Sequence, residues 1–202
     1  MSDKVVLCFG DSNTWGAAPT DISRFPFSTR WPGRLSSILG SGWHVIEEGL
    51  PNRTTHFEDP LIPLRNGAEV FPMVLETHSP VDIVVVMLGT NDPKKRVGGS
   101  VANAVKGLQK IIQCALESGA KILVVAPPPM ASPIKYDEFE EQVAIPYCRE
   151  FTAQLGRLTN GLGIPFLDAG QVVSVSSSDG VHLDESAHDA LAQAIAVAIR
   201  GE

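Results

Sequence analysis

Apolar residues alternate along the chain between short unbroken runs and longer stripes at helical spacing. Lys4-Val5-Val6-Leu7-Cys8-Phe9, Trp43 to Ile46, Val81 to Leu88, Lys121 to Ala126 and Ile164 to Leu167 are the short runs. Their β-branched and large apolar side chains predict five strands. Val81-Asp82-Ile83-Val84-Val85-Val86-Met87-Leu88 is nearly all apolar, as a central parallel strand covered on both faces must be. Between the runs, Trp31, Leu35, Ile38 and Leu39 predict a helix stopped by Gly40. Ala68 to Thr77 predicts another, shortened or kinked at Pro72. Val101, Val105, Leu108, Ile112 and Leu116 form one stripe of a helix capped by Ser100 and ended by Gly119. Asp137 to Leu158 reads as a helix broken or kinked at Pro146, and Asp184 caps a last helix carrying Ala187, Leu191, Ile195 and Ile199.

Strands alternating with helices imply right-handed βαβ crossovers and a three-layer α/β/α sandwich on a parallel sheet. Residues 1–202 show no repeat, no low-complexity tract and no shift in composition, so one domain is expected. The longest connections, Ala17–Arg30, Leu50–Asn66 and Pro127–Asp137, each follow a predicted strand. Long loops in compact domains are often functional.

Composition narrows the partners. A net charge of −7, with no basic run longer than Lys94-Lys95-Arg96, argues against nucleic acid, whose phosphates need a basic face. Cys8, Cys114 and Cys148 cannot pair fully and lack zinc-type spacing, which suits a reducing compartment. Met1-Ser2-Asp3-Lys4 leads directly into the first strand, and no apolar run approaches the ~20 residues of a membrane span. The expectation is a cytoplasmic protein with no membrane partner.

The distinctive polar clusters all follow predicted strands: Gly10-Asp11-Ser12 the first, Asn52-Arg53-Thr54-Thr55 the second, Gly89-Thr90-Asn91-Asp92 the third, and Asp179-Gly180-Val181-His182 the fifth. In a parallel sheet such loops emerge at one edge, where open α/β sheets bind ligands. Each cluster also has a plain reading, since Ser12 can be a helix cap and Asp-Gly and Gly-Thr-Asn-Asp are ordinary turn sequences. Together they supply what acyl transfer needs. Ser12 can attack, His182 can accept its proton, Asp179 can orient the imidazole, and the Asn91 amide can donate to an oxyanion.

These blocks, in this order and across nearly the whole chain, resemble the signature blocks of the SGNH (GDSL-type) hydrolases. The resemblance implies a flavodoxin-like five-stranded parallel sheet of order 2-1-3-4-5 and a Ser12–His182–Asp179 triad. It implies an oxyanion hole of the Ser12 N–H, a backbone N–H of the second block and the Asn91 side chain. The family commonly has glycine before its polar-Thr-Thr stretch, whereas Asn52 stands here. Asn52 is taken as the donor, because Asn tolerates left-handed backbone, with Gly49 as the fallback. Glu47-Glu48-Gly49-Leu50, Arg53-Thr54-Thr55 and Asp168-Ala169-Gly170 bring the similarity closer to bacterial arylesterase and acyltransferase members. Those act on short acyl esters, transfer acyl groups to alcohols or peroxide, and form homo-oligomers.

The expected function is therefore a serine esterase for short-chain aryl or acetyl esters, with no metal and no organic cofactor. A carbohydrate O-acetylesterase is the alternative, and an inactive ligand-binding relative is the reading from another class. Trp15 is expected to line the crevice or brace its wall, a packing role in the core being the alternative, and Ala17 and Ala18 beside it favour small acyl groups. Phe25, Phe27 and Met130 are candidates to close over it. His44, His56, His78 and His188 are assigned structural or surface roles. Asp11, Asp92 and Asp179 could meet at the crevice, but no His or Cys spacing makes them a metal site.

Overall fold

The computed structural model describes residues 3–21 and 23–201. Met1 and Ser2 of the expected lead-in, Ile22 of the first long connection, and Glu202 lie outside the described residues. Five parallel strands, β1 (Lys4–Gly10), β2 (Trp43–Gly49), β3 (Ile83–Met87), β4 (Lys121–Ala126) and β5 (Phe166–Asp168), form a sheet of order β2-β1-β3-β4-β5. The helices are α1 (Ser12–Trp15), α2 (Trp31–Leu39), α3 (Gly67–His78), α4 (Val101–Glu117), α5 (Glu141–Leu162) and α6 (Glu185–Arg200). The expected three-layer architecture and strand order are both present.

Successive strand side chains point to opposite faces, so one apolar run can serve two cores. Leu7, Phe9, Val84, Val86, Val124 and Ala126 pack with α3, α4 and α5. Val6, Cys8, Val85, Met87, Leu123 and Val125 pack with α2 and α6, around Trp31, Leu35 and Leu191. Each large side chain buried this way contributes roughly 1.5–3 kcal/mol. Coverage on both faces explains why β1, β3 and β4 read as continuous apolar runs rather than alternating ones.

Three expectations shift. Pro72 and Pro146 neither shorten nor break their helices: α3 and α5 each continue through the proline, which stands in the second turn. Helix α5 begins at Glu141, with residues 137–140 left in the loop, and runs past Gly156 and Gly161 to Gly163 at φ +65°. On α4 the buried face is Ala104, Gly107, Leu108, Ile111, Ile112 and Ala115, while Leu116 is half exposed. The small residues there allow close approach: a Cβ on Gly107 would lie 2.7 Å from the His56 ring. Asp184 caps α6 as predicted, accepting from the Ala187 N–H at 2.9 Å, an interaction worth about 1 kcal/mol.

Candidate active site

The first strand ends in a turn that only glycines permit. A Cβ on Gly10 would come within 2.0 Å of Thr14 Oγ1 and 2.8 Å of the Met87 carbonyl. A Cβ on Gly49, paired opposite Gly10, would lie 2.2 Å from the Trp15 nitrogen. Glycine at both positions lets α1 fold tightly over the ends of β1 and β2. Asp11 caps that helix, its Oδ1 accepting from the Asn13 N–H at 2.9 Å, and Gly16 ends it at φ +88°. Ser12 is the first residue of α1, so its N–H has no intrahelical acceptor.

The segment after β5 brings the imidazole to that hydroxyl. His182 Nε2 lies 3.0 Å from Ser12 Oγ, and His182 Nδ1 lies 2.6 Å from Asp179 Oδ2. Asp179 Oδ1 accepts from the backbone N–H groups of Val181 and His182, both at 2.9 Å, which fixes which oxygen faces the ring. Burial pushes the Asp179 carboxyl up, but these bonds, led by the His182 ring, outweigh it and hold it below the usual carboxylate range. The turn needs Gly180, at φ +76°, where a Cβ would lie 2.2 Å from the Ala131 carbonyl. Asn13 ties the two blocks together: its Nδ2 donates to the Val181 carbonyl (3.2 Å) and its Oδ1 accepts from the Leu183 N–H (3.1 Å). Tyr136, from the loop after β4, donates to Asp179 Oδ2 at 3.1 Å and lies edge-on to the His182 ring.

The opposite wall comes from the loops after β2 and β3. The Arg53 N–H donates to the Leu50 carbonyl at 3.1 Å, closing a turn with Pro51 second and Asn52 third at φ +68°. Proline followed by a left-handed Asn is the type II pattern, and its hydrogen bond leaves the Asn52 N–H unused. Arg53 is buried; its Nη1 donates to the Gly10 carbonyl (2.7 Å) and to that of Glu48, and its guanidinium lies 4.1 Å from the Phe9 ring centre. Burial lowers its pKa to about 10, so it stays charged at neutral pH. Asn91 Nδ2 gives one hydrogen to the Arg53 carbonyl at 3.1 Å and keeps the other. Behind it, Asp92 accepts from the Thr55 N–H (2.9 Å), the Thr55 hydroxyl (2.8 Å) and the Tyr147 hydroxyl (3.1 Å). Burial drives the Asp92 pKa up to about 7 against these bonds.

Ser12, Asn52, Asn91 and His182 line one cavity of about 330 Å³ with Trp15 and Ala17. The six predicted site residues are thus brought to one edge, Asp179 standing behind the imidazole; the fallback Gly49 does not line the cavity. Trp15 is held by Arg24, whose guanidinium lies 5.1 Å from its ring centre and 3.6 Å from Glu47. Ala18 is buried but does not line the cavity, and the same holds for Met130. Phe25 meets His188 edge to face (5.6 Å between centres) and Phe27 lies against the Arg30 guanidinium, and neither lines the cavity. Tyr136 and Phe139 take that place. His188 is structural, its Nδ1 accepting from the Trp31 N–H at 3.3 Å, while His78 pairs with Glu48 at 2.8 Å. Asn13, Tyr136 and Lys94 are the site residues that sequence reasoning passed over; of these only Asn13, inside the serine block, carried a positional signal. Among the described residues no group of three or more His, Cys, Asp or Glu could hold a metal ion.

No curated protein matches the chain by sequence. Solved structures do. The native aryl esterase of M. smegmatis is 37% identical, with a TM-score of 0.93 over 98% of this chain and 99% of that one. Est24, a carbohydrate acetylesterase from Sinorhizobium meliloti, is 34% identical, with a TM-score of 0.93 over 98% and 99%. A carbohydrate acetylesterase family member from the same organism is 36% identical, with a TM-score of 0.91 over 98% of each chain. The family model described as GDSL-like Lipase/Acylhydrolase matches residues 8–190. With most of its length inside that match and its polar blocks gathered at one sheet edge, the chain belongs to the GDSL-like lipase/acylhydrolase family.

Proposed function

We propose that this carboxylic ester hydrolase works through an acyl-enzyme on Ser12. The observation that carries the reading is the unbroken line from Ser12 Oγ to His182 Nε2 (3.0 Å) and from His182 Nδ1 to Asp179 (2.6 Å). His182 takes the hydroxyl proton as Oγ bonds to the ester carbonyl carbon, and Asp179 favours the imidazolium that results. The N–H groups of Ser12 and Asn52 and the free Asn91 amide hydrogen receive the oxyanion. As the carbon–oxygen bond to the alcohol breaks, His182 returns its proton to the leaving oxygen. Water, or another acceptor, then repeats the sequence in reverse and frees Ser12.

Short acyl groups suit a cavity of about 330 Å³ bounded by Trp15, Ala17, Ile62 and Phe139. Turnover of p-nitrophenyl acetate by the wild type, and its loss in Ser12→Ala with the fold retained, is the expected result. Ser12→Ala that still turns over the ester would overturn the assignment. A second reading, deacetylation of carbohydrates, is favoured by the polar part of the same wall, where Tyr136 and Glu138 offer a donor and an acceptor to hydroxyl groups. Release of acetate from acetylated sugars faster than from aryl acetates would select it. Acyl transfer to alcohols or peroxide belongs to the proposal too, read as a fall in free acid when alcohol competes with water.

Homo-oligomerisation is supported by Leu61 and Leu64, 75% and 71% exposed on either side of the cavity residue Ile62. Mass in solution decides it. Three unpaired cysteines among the described residues favour a cytoplasmic setting, and no described helix is long and apolar enough to cross a membrane.

A further inference from the structure

One turn of the oxyanion wall is held by a buried lysine and a chain of ion pairs. Asn52 has φ +68°, a conformation that glycine adopts freely and other residues only at a cost. Its side-chain Oδ1 accepts from Lys94 Nζ and from Arg96 Nη2, the latter at 3.4 Å. Lys94 is only 4% exposed, a position an ammonium occupies only when paired. It pairs with Glu138 at 2.9 Å, Glu138 bonds Arg96, and Arg96 reaches Asp59 at 2.8 Å. The Lys94 N–H also donates to the Asn91 carbonyl at 3.3 Å. The loop that supplies one amide donor therefore also grips the residue that supplies another.

We infer that Lys94, with Arg96, is a positioning residue that clamps the Asn52 side chain and so fixes the left-handed turn presenting the Asn52 N–H to the cavity. The inference rests on the acyl-transfer reading. A glycine at this position would reach the same φ without strain but would be free to leave it. Asn52 gives the turn a handle, and Lys94 and Arg96 hold that handle, so the donor is in place before the oxyanion forms. Such preorganisation is what makes an oxyanion donor effective. The clamp touches no reacting atom.

The test is a double-mutant cycle on p-nitrophenyl acetate, reading kcat and KM separately. Lys94→Met should lower kcat by about tenfold to a hundredfold, the scale of a misplaced catalytic group, with little change in KM. In an Asn52→Gly background, where the turn needs no handle, the same change should lower kcat far less. Asn52→Ala, which loses the acceptor but keeps the backbone strain, should have a lower kcat than Asn52→Gly. Equal losses from Lys94→Met in both backgrounds would overturn the clamp, and so would a raised KM with kcat intact, which would make Lys94 a substrate contact. If Lys94→Met does not fold, the order of the two Asn52 variants decides: Ala at or above Gly overturns the inference. Ser12→Ala in the same assay separates the two levels. Wild-type kcat in Lys94→Met beside a dead Ser12→Ala removes only the clamp, whereas a live Ser12→Ala removes the acyl-transfer reading.

Discussion

On one side of the crevice a carboxylate, an imidazole and a hydroxyl stand in line, with the first two only three residues apart on a single turn. On the other side the groups proposed to receive the oxyanion are neutral N–H donors, and the ionisable side chains behind them, Arg53, Asp92 and Lys94, are buried among protein partners. In the proposed reaction the first wall moves a proton, and its groups are joined by bonds that can reverse roles. The second must not move, so its donors are backed by bonds to carbonyls and paired charges. Their carboxylates show the same contrast. The Asp179 carboxyl is held below its ordinary range by the imidazole and backbone N–H groups it accepts, whereas burial lifts Asp92 to about 7. One wall stabilises its charge and the other suppresses it.

The sharpest way to break the contrast is to make the relay wall as immobile as its neighbour. In Asp179→Asn the oxygen that accepts from Val181 and His182 keeps its partners, so the amide nitrogen faces His182 Nδ1. That forces the proton onto Nε2, where it cannot receive the Ser12 proton. Kcat should fall by roughly 10⁴, the scale known for this change in a triad, with the fold intact. A loss below tenfold would mean that Asp179 does not set the tautomer. On the opposite wall, Asn91→Ala removes a single donor and should lower kcat by roughly 10²–10³ with little change in KM. An unchanged kcat would remove Asn91 from the oxyanion site.

The smallest expected effect concerns stability and separates the walls by sign. With its folded pKa lowered, Asp179 contributes stability that is present above its unfolded value and is lost as pH falls through the folded one. Asp92 runs the other way: its contribution is complete below about pH 4, where the unfolded chain is also protonated, and is lost as pH rises toward 7. Denaturant unfolding of wild type and Asp92→Asn between pH 4 and pH 8 should show the wild type losing ground to the variant as pH rises. A constant difference across that range would show that Asp92 is not buried as an acid.

The same contrast explains what the sequence disclosed. Asp179 and His182 share a turn, and Ser12 sits in a strand-to-helix block, so the relay is written in two short blocks, each recognisable locally. The parallel sheet supplied the rest by carrying every post-strand loop to one edge. The proposed oxyanion wall is made by bonds between residues about forty apart, Asn91 to Arg53, Asp92 to Thr55 and Lys94 to Asn52, for which local pattern offers no signal. Tyr136 was hidden for a similar reason, lying in an irregular loop whose path depends on packing against the Asp179 turn. Helix boundaries failed where tertiary context overrode propensity, as in α5, which runs through Pro146, Gly156 and Gly161.

The most direct measurement is to find which atom the substrate's acyl group, or a mimic of it, attaches to. A fluorophosphonate probe incubated with the wild-type protein, followed by mass mapping of the adduct, should place it on Ser12, and His182→Ala should slow its formation severely. An adduct on another residue, or none from an enzyme that hydrolyses the aryl ester, would contradict a nucleophile at the edge of β1.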